Sequence, residues 1–154
     1  NFYVFGDLRT LNKDTFNINE LKSIKNLFFK GYVDYKWVPN ILLSSKFLLM
    51  PYQKKVHVNS KRLEVSNFMS PLKLFDYLAS GKPLIASNLS VYSHILKNNQ
   101  NCILVNNASL ENWKKKINYV LKNYNAIKKL SNNSKKISIK YTWLNRTKKL
   151  LIYI

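Results

Sequence analysis

Apolar residues gather in five short runs, Phe2 to Phe5, Leu27 to Lys30, Phe47 to Met50, Leu84 to Ser87 and Cys102 to Val105. These runs do not alternate with polar residues, which is the pattern of strands covered on both faces. The stretches between them have helical period and suit crossover helices. The pattern therefore predicts a parallel α/β sheet with helices on both faces.

The sharpest helix is Ser70 to Ser80. Ser70 is placed to cap it, Pro71 takes the first helical position, and Leu72, Phe75, Leu78 and Ala79 share a face. Gly81 lies just past the end, and Lys82-Pro83 stops the helix and leads into the next strand. A second helix starts at Ser109 and carries Trp113, Ile117, Val120, Leu121 and Tyr124 at helical spacing. Two more helical segments follow, through Ile127, Leu130 and Ile137, then through Trp143, Leu144, Thr147, Leu150 and Leu151. The apolar sides of the Trp113 and Trp143 segments are expected to pack inward and leave lysines facing out. Gln53 to Asn67 is polar, has neither period, and reads as a long surface loop carrying Lys54, Lys55, Lys61 and Arg62.

A chain of 154 residues with 46% hydrophobic and 14% aromatic content is large and apolar enough to bury a core as one domain, 1–154. Charge changes the picture. The 26 Lys and Arg outnumber 7 Asp and Glu to give +19, and residues 112 to 154 hold twelve of the basic residues and no acid. A polyanionic partner follows as one expectation. Nucleic acid is the weaker form of it, because no zinc finger, aromatic RNA-binding signature or recognition helix accompanies the charge. An anionic membrane surface facing the basic C-terminal third is the form adopted. One cysteine, Cys102, excludes an internal disulfide, and two histidines cannot build a Cys/His zinc cluster with it, so no metal is expected. The longest apolar stretch, Val38 to Tyr52, is interrupted well short of the ~20 residues of a membrane helix. The expected location is cytoplasmic, peripheral to the inner face of the membrane. Opening on Asn1 in a strand-like run, the sequence reads as a piece of a longer protein.

With only Gly6, Gly31 and Gly81, neither a dinucleotide fingerprint nor a Walker loop can be written, and no serine elbow is present. Cys102 reads as a small buried apolar residue. Chemical character concentrates at Asn67-Phe68-Met69-Ser70-Pro71-Leu72-Lys73, where a helix begins. Unpaired amides and a partial positive charge at such an end bind phosphate. On the residues alone two readings stand. Lys73 and Asp76 form a surface pair along one helix side, or Lys73 and the helix amides take a phosphate while Asp76 accepts hydrogen bonds from a ribose diol.

The run Ser70-Pro71-Leu72-Lys73-Leu74-Phe75-Asp76-Tyr77-Leu78-Ala79-Ser80-Gly81-Lys82-Pro83 resembles the donor-binding segment of family 4 glycosyltransferases of the GT-B fold, which often reads Pro-x-Lys-x-x-Glu-Tyr-x-Ala-x-Gly-Lys-Pro. Gly31-Tyr32-Val33 with the following Val38 to Tyr52, Asn101-Cys102-Ile103-Leu104-Val105, and Tyr141-Thr142-Trp143 with Arg146 resemble further family segments in the same order. Four positions depart from it. Phe68 stands where many members have a Glu that touches the donor sugar, Asp76 replaces the ribose-binding Glu, and His94 and Lys46 occupy places where acids are common.

The resemblance implies a Rossmann-like fold, the donor half of an enzyme that moves a sugar from a nucleoside diphosphate sugar to an acceptor hydroxyl in cell-surface polysaccharide or glycolipid synthesis. It implies retention of configuration, no metal and no cofactor beyond the substrate. Met69, Ser70, Pro71, Leu72 and Lys73 would hold the diphosphate, Asp76 the ribose, and Gly31, Tyr32 and Val33 would face the base. The acceptor-binding N-terminal domain would be a partner outside this sequence. A noncatalytic nucleotide-binding module and a basic nucleic-acid-binding module are the alternatives.

Overall fold

The computed structural model describes residues 1–6, 17–53, 57–58, 63–64, 68–106 and 109–152. The basic residues Lys54, Lys55, Lys61 and Arg62 lie outside the described residues. The chain divides into two compact units, Asn1–Ile41 and Leu42–Ile154.

In the first unit, strands β1 (Phe2–Phe5) and β2 (Leu27–Gly31) pair in parallel, with α1 (Ile18–Ser23) leading into β2. Asn17 caps α1 by accepting hydrogen bonds from the amides of Asn19 and Glu20 at 3.1 and 3.4 Å. These two strands depart from the expectation of burial on both faces, since Tyr3, Val4, Phe5 and Phe28 are all exposed. Among the described residues of this unit, two strands and a six-residue helix supply too little surface to cover both faces. Instead Tyr3 and Phe28, partners in the ladder, stack at 5.3 Å, and the Lys30 ammonium lies 5.7 Å from the Tyr3 ring centroid. Gly31 ends β2 at φ +71°, a left-handed conformation that turns the chain toward Tyr32. A 3-10 turn (Tyr35–Trp37) then runs into α2 (Val38–Ser44).

The second unit meets the sequence expectation. β3 (Leu48–Met50), β6 (Leu84–Ser87) and β7 (Ile103–Val105) form a parallel sheet in the order β3-β6-β7, and all four residues of the central strand are buried. α3 (Leu72–Ser80) links the first two of these strands. Between β3 and α3 lie β4 (His57–Val58) and β5 (Leu63–Glu64), which pair antiparallel. The polar stretch read as a loop thus contains a two-residue ladder, too short to show a period.

Ile85, Ile103 and Val105 of the sheet pack with Val120 of α4 (Leu110–Lys122) and Ile127 of α5 (Tyr124–Ser138), closed at the sides by Phe47, Leu49, Trp113, Ile117 and Leu130. Ser109 caps α4, as its sequence position predicts, accepting from the Asn112 amide at 3.3 Å. Burying the five central side chains removes about 1.5–3 kcal/mol of unfavourable hydration apiece, making this cluster the anchor for everything at the strand ends.

Before β7 the chain is held by a buried amide. Asn101 accepts from the Lys97 amide at 2.8 Å through Oδ1 and donates to the Ile95 carbonyl at 2.8 Å through Nδ2, while the Ser134 hydroxyl of α5 donates to its carbonyl. Cys102 is buried and reduced, as expected, and burial pushes its thiol up to about 12.

α6 (Trp143–Leu151) corrects a second expectation. Thr142 caps it, accepting from the Asn145 amide at 3.3 Å. Its apolar side does not pack inward: Trp143 is 75% exposed, and Leu144, Leu150 and Leu151 are exposed with it. Among the described residues no helix is long and apolar enough to cross a membrane.

Candidate functional site

Open α/β sheets bind ligands beyond the carboxyl ends of their strands. In the second unit those ends are Met50, Ser87 and Val105, and the candidate site lies at the first two. Leu74 and Leu78 bury one side of α3 at 1% and 0% exposure, which fixes the helix on its neighbours and leaves Lys73 outside the core. Gly81 stops α3 at φ +63°, its amide donating to the Leu78 carbonyl at 3.1 Å.

The start of α3 differs from the sequence reading in one respect. Pro71, not Ser70, is the N-cap, and its backbone is extended with no side-chain cap bond. The helix therefore begins at Leu72. Pro71 carries no N–H, so the donors available to an anion are the amides of Met69, Ser70, Leu72 and Lys73 rather than an unbroken run. The Leu74 amide is engaged by the Pro71 carbonyl at 2.9 Å. The N-cap residue makes no side-chain cap bond, which leaves the partial positive charge of the helix end to whatever approaches.

Lys73 extends over the ring of Tyr52, its Nζ 5.0 Å from the centroid. Tyr52 follows β3 by two residues and is pinned by Ser87, the last residue of β6. The Tyr52 amide donates to Ser87 Oγ at 2.9 Å, and Ser87 Oγ donates to the Tyr52 carbonyl at 2.7 Å. Tyr92, buried, donates its hydroxyl to the Ser87 carbonyl. Burial raises the Tyr92 phenol, with Tyr52 adding to the shift. The Tyr77 phenol is raised as well, first by burial and then by Tyr52 and Asp76, so both hydroxyls stay protonated donors at neutral pH.

Of the residues named from sequence, Met69, Ser70, Pro71, Leu72, Lys73 and Asp76 come together at the first two turns of α3. Met69, Pro71 and Asp76 are half-buried, while Ser70, Leu72 and Lys73 are exposed. Gly31, Tyr32 and Val33 belong to the other compact unit, where Tyr32 is 83% exposed. Phe68, at the place of the sugar-contacting Glu, is 87% exposed and offers no polar group. His94 is exposed, and Lys46 lies 4.8 Å over the Tyr124 ring, a packing role. Sequence reasoning passed over Tyr52 and Ser87. The only signal was their position at the ends of successive strands, since their bond spans 35 residues. Among the described residues no group of three or more His, Cys, Asp or Glu is placed to hold a metal ion.

A parallel sheet flanked by helices, with a lysine and an acid in the first two turns of the helix between β3 and β6, is a Rossmann-like arrangement. The chain belongs to the family described as glycosyl transferases group 1, which matches residues 1–137. Its architecture is that of the C-terminal domain of a GT-B glycosyltransferase, as the resemblance implied. Over 81 residues it is 31% identical to the putative teichuronic acid biosynthesis glycosyltransferase TuaH of Bacillus subtilis (strain 168), covering 53% of this chain and 18% of that one. Anabaena Alr3699/HepE, solved in complex with UDP-glucose, superposes over 99% of this chain and 40% of its own at TM-score 0.70 and 13% identity. A glycosyltransferase from Rickettsia africae ESF-5 gives TM-score 0.70 at 22% identity, covering 99% of this chain and 39% of its own. The chain thus spans less than half the length of each of these relatives.

Proposed function

We propose that this chain is the donor half of a glycosyltransferase that moves a sugar from a nucleoside diphosphate sugar to an acceptor hydroxyl, in the synthesis of a cell-surface polysaccharide or glycolipid. The observation that carries the proposal is Lys73 beside the uncapped start of α3, with Asp76 one turn on, at the strand ends of a chain of this family. TuaH, named for teichuronic acid biosynthesis, and the UDP-glucose complex of Alr3699/HepE support the choice of substrate class.

In the reaction the bond between the anomeric carbon and the diphosphate oxygen breaks. The acceptor oxygen bonds to that carbon, and its proton passes to an oxygen of the leaving diphosphate. Negative charge builds on the leaving diphosphate. Lys73 and the amides of Leu72 and Lys73 meet that charge without having to reorganise, which is where such groups contribute most. Asp76 accepts from the ribose hydroxyls. By its resemblance to family 4 glycosyltransferases the transfer retains anomeric configuration and needs no metal, the lysine and the helix end supplying positive charge at the leaving group. The acceptor and the remaining catalytic groups belong to an N-terminal domain, a partner outside the 154 residues.

The test is thermal denaturation with UDP, GDP, ADP and their sugars, against duplex DNA. A ligand at 100 times its Kd adds about 2.7 kcal/mol to the folded state. Stabilisation by one nucleoside diphosphate series is expected. Stabilisation by DNA alone, falling steeply with salt, would favour the nucleic-acid reading instead.

A second part of the proposal concerns location. The exposed apolar side of α6 is flanked by Arg146, Lys148 and Lys149, in a region without acids. Such a helix lies in a lipid interface, each basic residue near an anionic surface contributing about 1 kcal/mol. The protein then works at the inner face of the membrane. Sedimentation with phosphatidylglycerol vesicles but not phosphatidylcholine vesicles, lost on Trp143→Ala with Lys148→Gln and Lys149→Gln, is expected; equal recovery in the supernatant with both lipids contradicts it.

A further inference from the structure

We infer that Tyr52 is a positioning residue: its ring, carried on a backbone clamped by Ser87, is the seat that holds the Lys73 ammonium at the diphosphate site. The inference rests on the proposed donor-binding role of Lys73 and adds to it a device that sets where the charge stands.

Lys73 is exposed and carries a long flexible side chain, so without a partner its ammonium would sample many positions. Tyr52 supplies a half-buried ring 5.0 Å below it. The backbone that carries the ring is itself held. Ser87, 2% exposed, uses its one hydroxyl as both acceptor and donor to the Tyr52 backbone, at 2.9 and 2.7 Å. Tyr92 fastens the Ser87 carbonyl in turn. The clamp joins the segment after β3 to the end of β6, strands already paired Leu48 to Leu84 and Met50 to Ala86. Lys73 is therefore referenced to the rigid sheet as well as to its own helix. A ring under an ammonium also leaves its upper N–H donors facing outward, toward the space an anion would fill. Holding the charge in advance lowers the ordering cost of binding.

The experiment measures binding of UDP and of inorganic pyrophosphate to the full chain by titration calorimetry, in the parent, Lys73→Ala, Tyr52→Leu, Tyr52→Phe, Ser87→Ala and the Tyr52→Leu/Lys73→Ala pair. Tyr52→Leu is expected to weaken both ligands about two- to fivefold, the range of a partly exposed cation–ring contact. Tyr52→Phe restores parental binding, because the ring and the backbone clamp remain. Ser87→Ala, which frees the clamp but keeps the ring, weakens binding by a smaller factor. In the Lys73→Ala background, Tyr52→Leu has no further effect, the non-additivity expected of residues acting as one unit. If Lys73→Ala weakens both ligands while Tyr52→Leu binds like the parent, or if the two changes simply add, the seat is wrong and the donor site stands. If Lys73→Ala itself changes nothing, both fail. A Tyr52→Phe variant as weak as Tyr52→Leu would show the hydroxyl acting on ligand and overturn the seat. Should Tyr52→Leu fail to fold, the contrast between Ser87→Ala and Tyr52→Phe decides: equal parental binding in both overturns the inference.

Discussion

Replacing Asn101 with alanine tests whether this residue, one of those that resemble family segments, acts through structure or through ligand. Its side chain is 1% exposed and satisfies two backbone groups, the Lys97 amide and the Ile95 carbonyl, both at 2.8 Å. Alanine leaves both unpaired. A buried group left unsatisfied costs about 1–3 kcal/mol and a lost bond at a wetter position about 0.5–1.5 kcal/mol. The Ile95 carbonyl is the buried one and Lys97 is near solvent, so the sum is about 1.5–4.5 kcal/mol. For a domain of this size each kcal/mol moves Tm by about 2–4 °C, which gives a fall of about 3–18 °C. Differential scanning calorimetry of parent and variant reads it directly. Nucleotide affinity per folded molecule should stay at the parental value, since Asn101 belongs to the support under β7. A variant that melts within 2 °C of the parent would refute the assignment of the two bonds. One that keeps its Tm but loses nucleotide would make Asn101 a ligand contact.

Lys73→Ala and Asp76→Ala should each weaken nucleoside diphosphate binding by roughly one to two decades, the worth of a hydrogen bond to a charged group, with little change in Tm because neither belongs to the buried Leu74 and Leu78 side; equal affinity in both variants would dismiss the site. Gly81→Ala should cost about 1–2 kcal/mol from its φ of +63° alone, since the added Cβ meets Lys135 at an ordinary 3.5 Å, and Gly81→Asn should cost less; urea melts check the order. Cys102, raised from 9.0 to about 12, should resist thiol reagents at pH 8 until the protein unfolds. The folded state keeps that proton longer than the unfolded chain, so the stability linked to Cys102 is complete below about pH 9 and is lost as pH rises toward 12; stability constant across that window would contradict the burial of the thiol.

Legibility followed the physics of each element. The five strands were readable because continuous apolar runs mark strands buried on both faces, and β3, β6 and β7 obey that rule. The end of α3 was readable because Gly81 is required by its backbone conformation. Its beginning was misread by one residue: Ser70 has the chemistry of a cap, but Pro71 adopts the cap conformation and bears no side-chain bond. The α6 stripe was visible as a period, yet a period says only that one side is apolar, not that anything covers it. Burial of β1 and β2 failed for the same reason. Lys73 and Asp76 stood out through their place at a helix start, a local feature. Tyr52 and Ser87 did not, because their relation exists only once two strands lie side by side.

The central claim, that α3 presents a diphosphate site, is tested most directly by residue-resolved amide spectra of the full chain titrated with the nucleoside diphosphate that raises its Tm most. The account predicts saturable shifts at the Leu72 and Lys73 amides, with Asp76 and Tyr52 following and the amides of α4 and α5 unmoved. The same titration of Lys73→Ala should require one to two decades more ligand to reach those shifts. Saturable shifts confined to α4, α5 or α6, with Leu72 and Lys73 unchanged, would contradict it.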